Sequence, residues 1–213
     1  EPIDPVRFIG NRSSGKTGYA IAEEAARRGA TVTLVSGPTA LSDPFGCTVL
    51  RVKTAAEMHA AAMDAYASAD AVVASAAVSD MRPAEFSAQK LKKDGSVRPL
   101  PLELTRDILA EMAERKEGRT LIGFAAESAD VIEAATEKLR RKRLDLVVAN
   151  DITEAGLGFG SDMNRVALVT PGGAEELPIM SKRALARLVC DRLAAIESAR
   201  GRTTADDGTR GGA

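Results

Sequence analysis

Short apolar runs alternate with Ala-rich helical patterns along most of the chain. Such alternation is typical of parallel strands joined by crossover helices, and continuous apolar runs indicate strands covered on both faces. The pattern therefore predicts the α/β class, with a doubly wound, mostly parallel sheet. The predicted strands are residues 31–36, 47–52, 71–75, 120–125 and 144–149.

Helix boundaries are indicated at several points. One helix is predicted to begin near Ser14 and to end before Gly29, a residue type that favours the position just after a helix. A second opens with Thr54-Ala-Ala-Glu57, a capping box. A hairpin over residues 166–178 is predicted to precede a final helix that starts at Ser181.

Residues 89–104 have a different pattern. Two extended pieces flank Lys93-Asp94-Gly95, and Asp-Gly is a hairpin turn signal. We expect a hairpin arm outside the parallel sheet, on which Lys90 and Lys92 face one side and Lys93 the other. Three amines there indicate either an edge strand that lysines protect from pairing or a site for an anionic partner.

The length of 213 residues suits one domain, which we expect over residues 1–199. Residues 200–213 lack apolar periodicity and are predicted to form a disordered tail. A helix that opens at a Gly-rich turn normally follows a buried strand, yet residues 1–10 contain two prolines and no such run. We therefore expect that a first strand, preceding residue 1, is missing.

The composition excludes several classes of function. Lys and Arg number 29 against 30 Asp and Glu, so the net charge of −1 provides no general field for nucleic acid or an anionic membrane. Metal clusters and catalytic triads with histidine are not expected, because the chain has two cysteines, Cys47 and Cys190, and a single histidine, His59. The longest apolar runs are too short to span a bilayer. We expect a soluble cytoplasmic protein without nucleic acid or membrane partners.

A candidate phosphate site precedes the first helix, in Asn11-Arg-Ser-Ser-Gly15-Lys-Thr-Gly18. The backbone N–H groups of Ser13, Ser14 and Gly15, and the hydroxyls of the two serines, would meet the positive end of the helix dipole. The spacing matches neither the P-loop nor the dinucleotide fingerprint. A capped helix after a tight turn is the alternative interpretation.

Other candidates follow the predicted strands. Ala76 and Ala77 are small enough for a base or ribose to approach the backbone, and Asp80 would either hold Mg²⁺ between phosphates or cap a turn. Phe124 ends another strand as an apolar wall or a core residue. Lys138 and Lys142 share one helix face, either at a site or in solvent. Together these residues favour a nucleoside triphosphate.

Beyond the last parallel strand, Asn150-Asp151 ends the apolar run, and the Gly-rich loop Phe159-Gly-Ser-Asp162-Met-Asn164 would either cover a ligand or simply turn the chain.

Taken as a set, the motifs closely resemble the phosphopantothenoylcysteine synthetase family, from Glu1 to about Ala195. They are Glu1-Pro-Ile-Asp-Pro-Val-Arg-Phe-Ile, Asn11-Arg-Ser-Ser-Gly-Lys, Ala76-Ala-Val-Ser-Asp80, Lys90-Leu-Lys-Lys-Asp-Gly, Gly123-Phe-Ala-Ala-Glu127, Leu144-Asp-Leu-Val-Val-Ala-Asn-Asp151 and Phe159-Gly-Ser-Asp162. The resemblance implies a Rossmann-like sheet with a dimerisation arm. It also implies a homodimeric ligase that joins 4′-phosphopantothenate to L-cysteine with CTP and Mg²⁺. In most bacteria this is the carboxy-terminal half of a bifunctional coenzyme A biosynthesis protein, so the resemblance also implies fusion to an upstream flavin-dependent decarboxylase domain.

The resemblance also implies roles for individual residues. Asn11 matches the asparagine that handles the acyl-cytidylate intermediate, Lys90 the arm lysine that closes over the active site, and Asp80 a metal or triphosphate-site aspartate. The remaining matches line the nucleotide site, with the two lysines near the base; they are Ala76, Ala77, Phe124, Lys138 and Lys142. Two departures stand out: the family's strand and Gly-Gly-Thr loop before Glu1 are absent, and Thr105-Arg-Asp107 replaces the usual Asn-Pro-Asp or Thr-Pro-Asp.

Two other functions compete with this interpretation. An NAD(P)-dependent oxidoreductase of the doubly wound class would carry an acidic or basic ribose selector after its second strand, where Ser36-Gly-Pro38 stands. A nucleotide-binding, dimerising remnant without turnover is the non-enzyme alternative, and the missing first strand favours it.

Overall fold

The computed structural model describes residues 1–92, 95, 99–127, 129–151 and 160–207, with the backbone alone for residues 202–207. Within these residues, five helices and eleven strands alternate as an α/β protein, which confirms the predicted class. The helices are α1 Lys16–Arg27, α2 Ala55–Tyr66, α3 Ile108–Glu114, α4 Val131–Arg141 and α5 Lys182–Asp207. The strands are β1 Val32–Ser36, β2 Cys47–Arg51, β3 Ala71–Ala74, β4 Met81–Pro83, β5 Leu102–Leu104, β6 Thr120–Glu127, β7 Leu146–Asp151, β8 Met163–Asn164, β9 Val166–Thr170, β10 Gly173–Glu176 and β11 Met180–Ser181.

The main sheet has the strand order β10-β9-β7-β6-β3. Strands β3, β6 and β7 are parallel, and the β9–β10 hairpin adds two antiparallel strands, as the sequence predicts for this segment. Strands β1 and β2 form a separate parallel pair. All five strands predicted from apolar runs are present, and their carboxyl ends are candidate ligand positions.

The core lies on both faces of β6 and β7. Leu121 and Val147 pack toward α3 and α4, where they meet Leu109. Ile122 and Leu146 point the other way, into a cluster that includes residues of α1 and α5. Because successive side chains point to opposite faces, a continuous apolar run is required when helices cover both. Burying each such side chain contributes about 1.5–3 kcal/mol.

Local capping explains where the helices begin. In α2, Thr54 Oγ1 accepts from the Glu57 N–H at 3.1 Å, while Glu57 Oε2 accepts from the Lys53 N–H at 2.6 Å. The predicted capping box is therefore present, with the return bond one residue early. Ser181 Oγ accepts from the Ala184 N–H at 3.2 Å and starts α5 where predicted.

The arm differs from the prediction. Strand β5 pairs antiparallel with β4, and residues 89–92 form no strand. The first predicted arm strand, with its alternating lysines, is therefore wrong. The physical reason is that the Leu91 N–H donates to the Asp4 carboxylate instead of to a strand partner. Lys93 and Asp94 of the predicted turn lie outside the described residues.

Helix α5 runs to Asp207, past residue 200, where the sequence pattern predicted a tail. Arg200 anchors this end, because Nη2 donates to Asp145 Oδ1 at 2.6 Å and Nη1 to the Gly118 carbonyl at 2.7 Å. Tertiary contacts thus accompany the extension of α5 into a segment whose own sequence lacks apolar periodicity. Residues 208–213 lie outside the described residues.

Candidate functional site

The segment after β3, residues 75–80, connects three parts of the chain. Asn11 Nδ2 donates to the Val78 carbonyl at 2.9 Å. From the other side, the Thr105 N–H donates to the Asp80 carbonyl at 3.0 Å, and Thr105 Oγ1 donates to the Ser79 carbonyl at 2.6 Å. The segments before α1, after β3 and before α3 therefore meet at the carboxyl end of a parallel strand, where open α/β sheets bind ligands.

The start of α1 is shaped by glycines. Gly15, its N-cap, has φ of 73° and makes no side-chain cap, so the first-turn N–H groups are not satisfied by a capping side chain. A Cβ on Gly18 would lie 2.7 Å from Ser75 Oγ, because the helix packs closely on the end of β3. This start is an electropositive helix end beside the 75–80 segment.

An open cleft of about 610 Å³ lies at this helix end. Its walls come from the start of α1 and from the segment after β1; the lining residues are Ser13, Ser14, Lys16, Pro38, Thr39, Ala40 and Leu41. The sequence prediction included both serines but missed Lys16. Its position in the first helical turn, directly after Ser-Ser-Gly, was the signal that could have found it.

Lys16 connects the cleft to the segment before β8. Its Nζ donates to Asp162 Oδ1 at 2.7 Å and to the Gly160 carbonyl at 3.3 Å. The hydrogen bond from Lys16 and its charge lower the pKa of Asp162. An ammonium group has three donors, so these two bonds leave one for a ligand in the cleft.

The α4 lysines, Lys138 within the helix and Lys142 at its C-cap, do not form a solvated face. Lys138 Nζ donates to the Phe124 carbonyl, and burial, followed by the nearby charge of Lys142, lowers the pKa of Lys138. Lys142 Nζ lies 2.6 Å from Asp107 Oδ2. Burial raises the pKa of Asp107, but the hydrogen bonds from Lys142 and from the Ala110 N–H outweigh it, and the net shift is downward. The α4 lysines thus adjoin the end of β6 and the start of α3.

Asn150, near the end of β7, carries a buried acceptor without a partner. Its Oδ1 is the single buried side-chain N or O atom without a hydrogen bond in the part of the chain that the structure describes. The residue lies opposite Ala126 of β6. An unpaired buried acceptor costs about 1–3 kcal/mol, so one at a strand end is a candidate for accepting an N–H from a ligand.

Asp80 is the candidate metal ligand. Its side chain is exposed, and no hydrogen bond to its carboxylate is found among the described residues. Within the same residues, no group of three or more His, Cys, Asp or Glu side chains could hold a metal ion. Mg²⁺ commonly takes one or two carboxylates and completes its shell with phosphate oxygens and water, so a single available carboxylate fits this ion.

The predicted site residues are brought together unequally. Asn11 is bonded to the 75–80 segment, which contains Ala76, Ala77 and Asp80. In a second group, Lys138 donates to the Phe124 carbonyl and Lys142 pairs with Asp107, while the Phe124 side chain packs against the α1 and α5 cluster on the other face of the sheet. Lys90 is exposed, and it makes no hydrogen bond or ion pair to either group in the described ranges. Its place at the site remains a prediction.

Comparisons with known proteins show the family of this chain. The family model described as DNA/pantothenate metabolism flavoprotein C-terminal domain matches residues 1–196. The coenzyme A biosynthesis bifunctional protein CoaBC of Bacillus subtilis (strain 168) is 43% identical over 203 residues, which cover 94% of this chain and 50% of that protein. The protein of the same name from Escherichia coli (strain K12) is 43% identical over 197 residues, 91% of this chain and 48% of its own length. The chain thus spans about half the length of the curated relatives it matches.

A solved structure supports the same relationship. The crystal structure of the C-terminal domain of coenzyme A biosynthesis bifunctional protein CoaBC superimposes with a TM-score of 0.79 at 41% identity. The match covers 93% of this chain and 90% of that one. Across the described residues, no helix is both long and apolar enough to cross a membrane.

Proposed function

The chain belongs to the DNA/pantothenate metabolism flavoprotein C-terminal domain family, and from that premise we propose that it is a ligase of coenzyme A biosynthesis. The proposed reaction joins 4′-phosphopantothenate to L-cysteine at the expense of CTP. The observation that carries the proposal is the 75–80 segment, bonded at once to Asn11 and to Thr105. It brings a helix N-terminus, small residues and the exposed carboxylate of Asp80 to one sheet edge.

The chemistry requires no protein nucleophile. A carboxylate oxygen of 4′-phosphopantothenate attacks the α-phosphorus of CTP, the bond to the β-phosphate breaks, and pyrophosphate leaves. The cysteine amine then attacks the carbonyl carbon of the acyl-cytidylate, loses a proton, and CMP departs. Positioning and charge stabilisation are therefore the main tasks of the protein.

The triphosphate is proposed to bind at the start of α1. Ser13, Ser14 and Gly15 offer hydroxyl and N–H donors, and Lys16 retains one ammonium donor there. Mg²⁺, held by Asp80 and phosphate oxygens, would neutralise phosphate charge and orient the reacting groups. Lys90 would add a cation from the arm.

The base is proposed to lie near the second group of residues. Phe124, whose side chain packs on the α1 and α5 side of the sheet, would supply an apolar wall, and Ala76 and Ala77 would allow close approach. The amines of Lys138 and Lys142 would reach the site from the α4 side, where Lys138 donates to the Phe124 carbonyl. The buried Oδ1 of Asn150 is suited to accept an N–H, because it has no partner in the described part of the chain. A pyrimidine with an exocyclic amine satisfies such an acceptor.

Asn11 is proposed to assist the second step. A side-chain amide has two N–H donors, and the Val78 carbonyl takes one of them. The other would donate to the tetrahedral oxyanion as the cysteine amine attacks, a contribution of about 3 kcal/mol for a group of this kind. The bond to Val78 orients the amide beforehand.

Two assembly properties belong to the same proposal. Large apolar side chains are exposed on the β4–β5 ribbon, on the segment after β4 and on the N-terminal turn, residues 1–9; they include Leu104, Phe86 and Phe8, respectively. This supports a homodimer that uses this surface. The relatives are bifunctional proteins about twice as long, which supports fusion to an upstream flavin-dependent decarboxylase domain.

The first test is nucleotide selectivity. Titration calorimetry of the chain with CTP and with ATP, each with Mg²⁺, should show tighter binding of CTP. Equal or tighter binding of ATP would contradict the cytidylyl assignment. Tight CTP binding without turnover would favour the remnant, and binding of NAD(P) in place of CTP would favour the oxidoreductase.

The second test separates the two half-reactions through Asn11→Asp. The new carboxylate would repel the oxyanion, so the variant should still release pyrophosphate from CTP and 4′-phosphopantothenate but accumulate bound acyl-cytidylate. Single-turnover mass spectrometry after cysteine addition measures this. Amide product at the parent rate would show that Asn11 only caps the chain before α1.

A further inference from the structure

The N-terminal turn, residues 1–9, is a closed structural unit without an assigned role. The Ile3 N–H donates to the Arg7 carbonyl at 2.8 Å, and the Ile9 N–H donates to the Glu1 carbonyl at 2.8 Å. Glu1 Oε1 accepts from the Ala55 N–H and thereby attaches the turn to the start of α2. Two residues after the turn closes, the chain reaches Asn11.

Asp4 is the centre of this turn. It is 2% exposed, and its carboxylate accepts five hydrogen bonds. Oδ1 accepts from the N–H groups of Val6 and Arg7, each at 2.9 Å. Oδ2 accepts from Arg7 Nε at 3.0 Å, Arg7 Nη2 at 2.5 Å and the Leu91 N–H at 3.2 Å. A buried charge is tolerated only when it is paired and bonded in this way.

The Leu91 bond crosses from the turn to the segment that carries Lys90. Arg7 Nη2 also donates to the Leu91 carbonyl at 2.9 Å, so both backbone groups of Leu91 are held. Further along, the Ser87 N–H donates to the Ile3 carbonyl at 3.0 Å. The segment 87–91 is thus fixed at both ends to one side of the turn.

From this geometry we infer that Asp4 is a positioning residue, which holds the backbone next to Lys90 at a set place relative to Asn11. The inference rests on the proposed function, because Lys90 and Asn11 are its proposed catalytic residues. Asp4 itself touches neither substrate nor nucleotide in this scheme. It acts through its hydrogen bonds with the Arg7 guanidinium group and with the Leu91 N–H.

A purely structural role for Asp4 would give different results. A structural residue lowers stability, and it lowers turnover by the same factor whether or not Lys90 is present. A residue that acts through Lys90 loses its effect on turnover once the Lys90 amine has been removed, since two residues in one pathway are not additive.

The test uses Asp4→Asn, Lys90→Ala and the double variant in the complete chain. Every acceptor position of Asp4 faces an N–H, so either orientation of the new amide places an NH₂ group against a donor. Asp191→Asn is the matched control, because Asp191 also pairs with an arginine, Arg28, on a different face. Circular dichroism melting and CTP titration report whether each variant folds and binds.

We expect Asp4→Asn to lower kcat by up to about 100-fold, the scale of a 1 Å misplacement. The KM for CTP should change less than about threefold, and the double variant should be no more than twofold slower than Lys90→Ala. Amide hydrogen exchange at Leu91 should become faster in Asp4→Asn and stay unchanged in Asp191→Asn.

Failure of the positioning role and failure of the proposed function give different results. If the two single losses multiply in the double variant, or if Asp4→Asn keeps the parent kcat, the positioning role is wrong. Unchanged exchange at Leu91 would also overturn it, and this measurement does not depend on turnover. A parent chain that never turns over would instead contradict the proposed function.

Discussion

Gly15→Ala is the substitution that best tests the cleft at the start of α1. Gly15 has φ of 73°, in the left-handed region, and an added Cβ would lie 3.0 Å from Thr39 Cγ2. Thr39 lines the cleft, and its Oγ1 accepts from the Leu41 N–H at 3.0 Å. The new methyl group would therefore strain the backbone and push one wall of the cleft.

The expected loss of stability in Gly15→Ala has two parts. A left-handed backbone costs an L-residue about 1–2 kcal/mol, of which the less flexible unfolded chain returns about 0.4–1 kcal/mol. The contact with Thr39 adds about 1–3 kcal/mol, because a β-branched side chain has few alternative rotamers. We expect the free energy of unfolding to fall by about 2–4 kcal/mol and the affinity for CTP to fall as well.

Gly29→Ala is the matched control at the other end of α1. Gly29 has φ of 91°, but an added Cβ there has no atom within 4 Å, so only the backbone cost applies. Urea unfolding should show a loss of about 1 kcal/mol with CTP binding unchanged. Adding Thr39→Ser to Gly15→Ala removes Cγ2 but keeps the hydroxyl, and should recover most of the difference between the two glycine variants.

Equal losses of stability in the two glycine variants, with equal CTP affinity, would refute the reasoning. Failure of Thr39→Ser to recover binding would show that the cleft wall does not carry the effect. In the first case the triphosphate would have to bind away from the start of α1.

Three further predictions concern single side chains. Lys16→Met should weaken CTP binding about 10- to 100-fold in calorimetry, the value of a charge-assisted hydrogen bond, with little change in stability because its pair with Asp162 is exposed; unchanged affinity would remove Lys16 from the site. Arg200→Met should lower the free energy of unfolding by about 1–3 kcal/mol and speed amide exchange near the end of α5, with turnover retained. The hydrogen bond from Arg7 lowers the pKa of Asp4, so Asp4 stabilises the fold above about pH 4 and this stability is lost as the pH falls further. Asp4→Asn should therefore flatten the acid side of a stability-against-pH curve, and an unchanged slope would contradict the assignment.

Elements with a strong local signal were predicted correctly. The apolar runs of β6 and β7 indicated buried strands, and Thr54 with Glu57 indicated the start of α2. The 166–178 hairpin and the start of α5 at Ser181 follow from turn and capping residues. In each case the deciding interactions join residues close in sequence, or depend only on the period of the side chains.

The arm could not be predicted, because its partners are distant in sequence. Asp-Gly is a turn signal wherever it occurs, but whether residues 89–92 pair with β5 depends on competition for the Leu91 N–H. That N–H donates to the Asp4 carboxylate, which lies 87 residues away in the sequence. The same holds for the end of α5, where Arg200 bonds Asp145 across 55 residues.

For the candidate site, the sequence by itself determined which residue types were available: the helix start with Ser13, Ser14 and Gly15, the small residues after β3, and the paired lysines of α4. Family membership was also readable there, since it depends on the order and spacing of motifs. Only the tertiary structure decided which of these meet. Asn11 reaches the Val78 carbonyl, Thr105 holds Asp80 and Ser79, Lys142 turns inward to Asp107, and Lys16 faces both the cleft and Asp162. These contacts depend on side-chain direction and on the competition of distant groups for each donor, and neither is encoded by spacing along the chain.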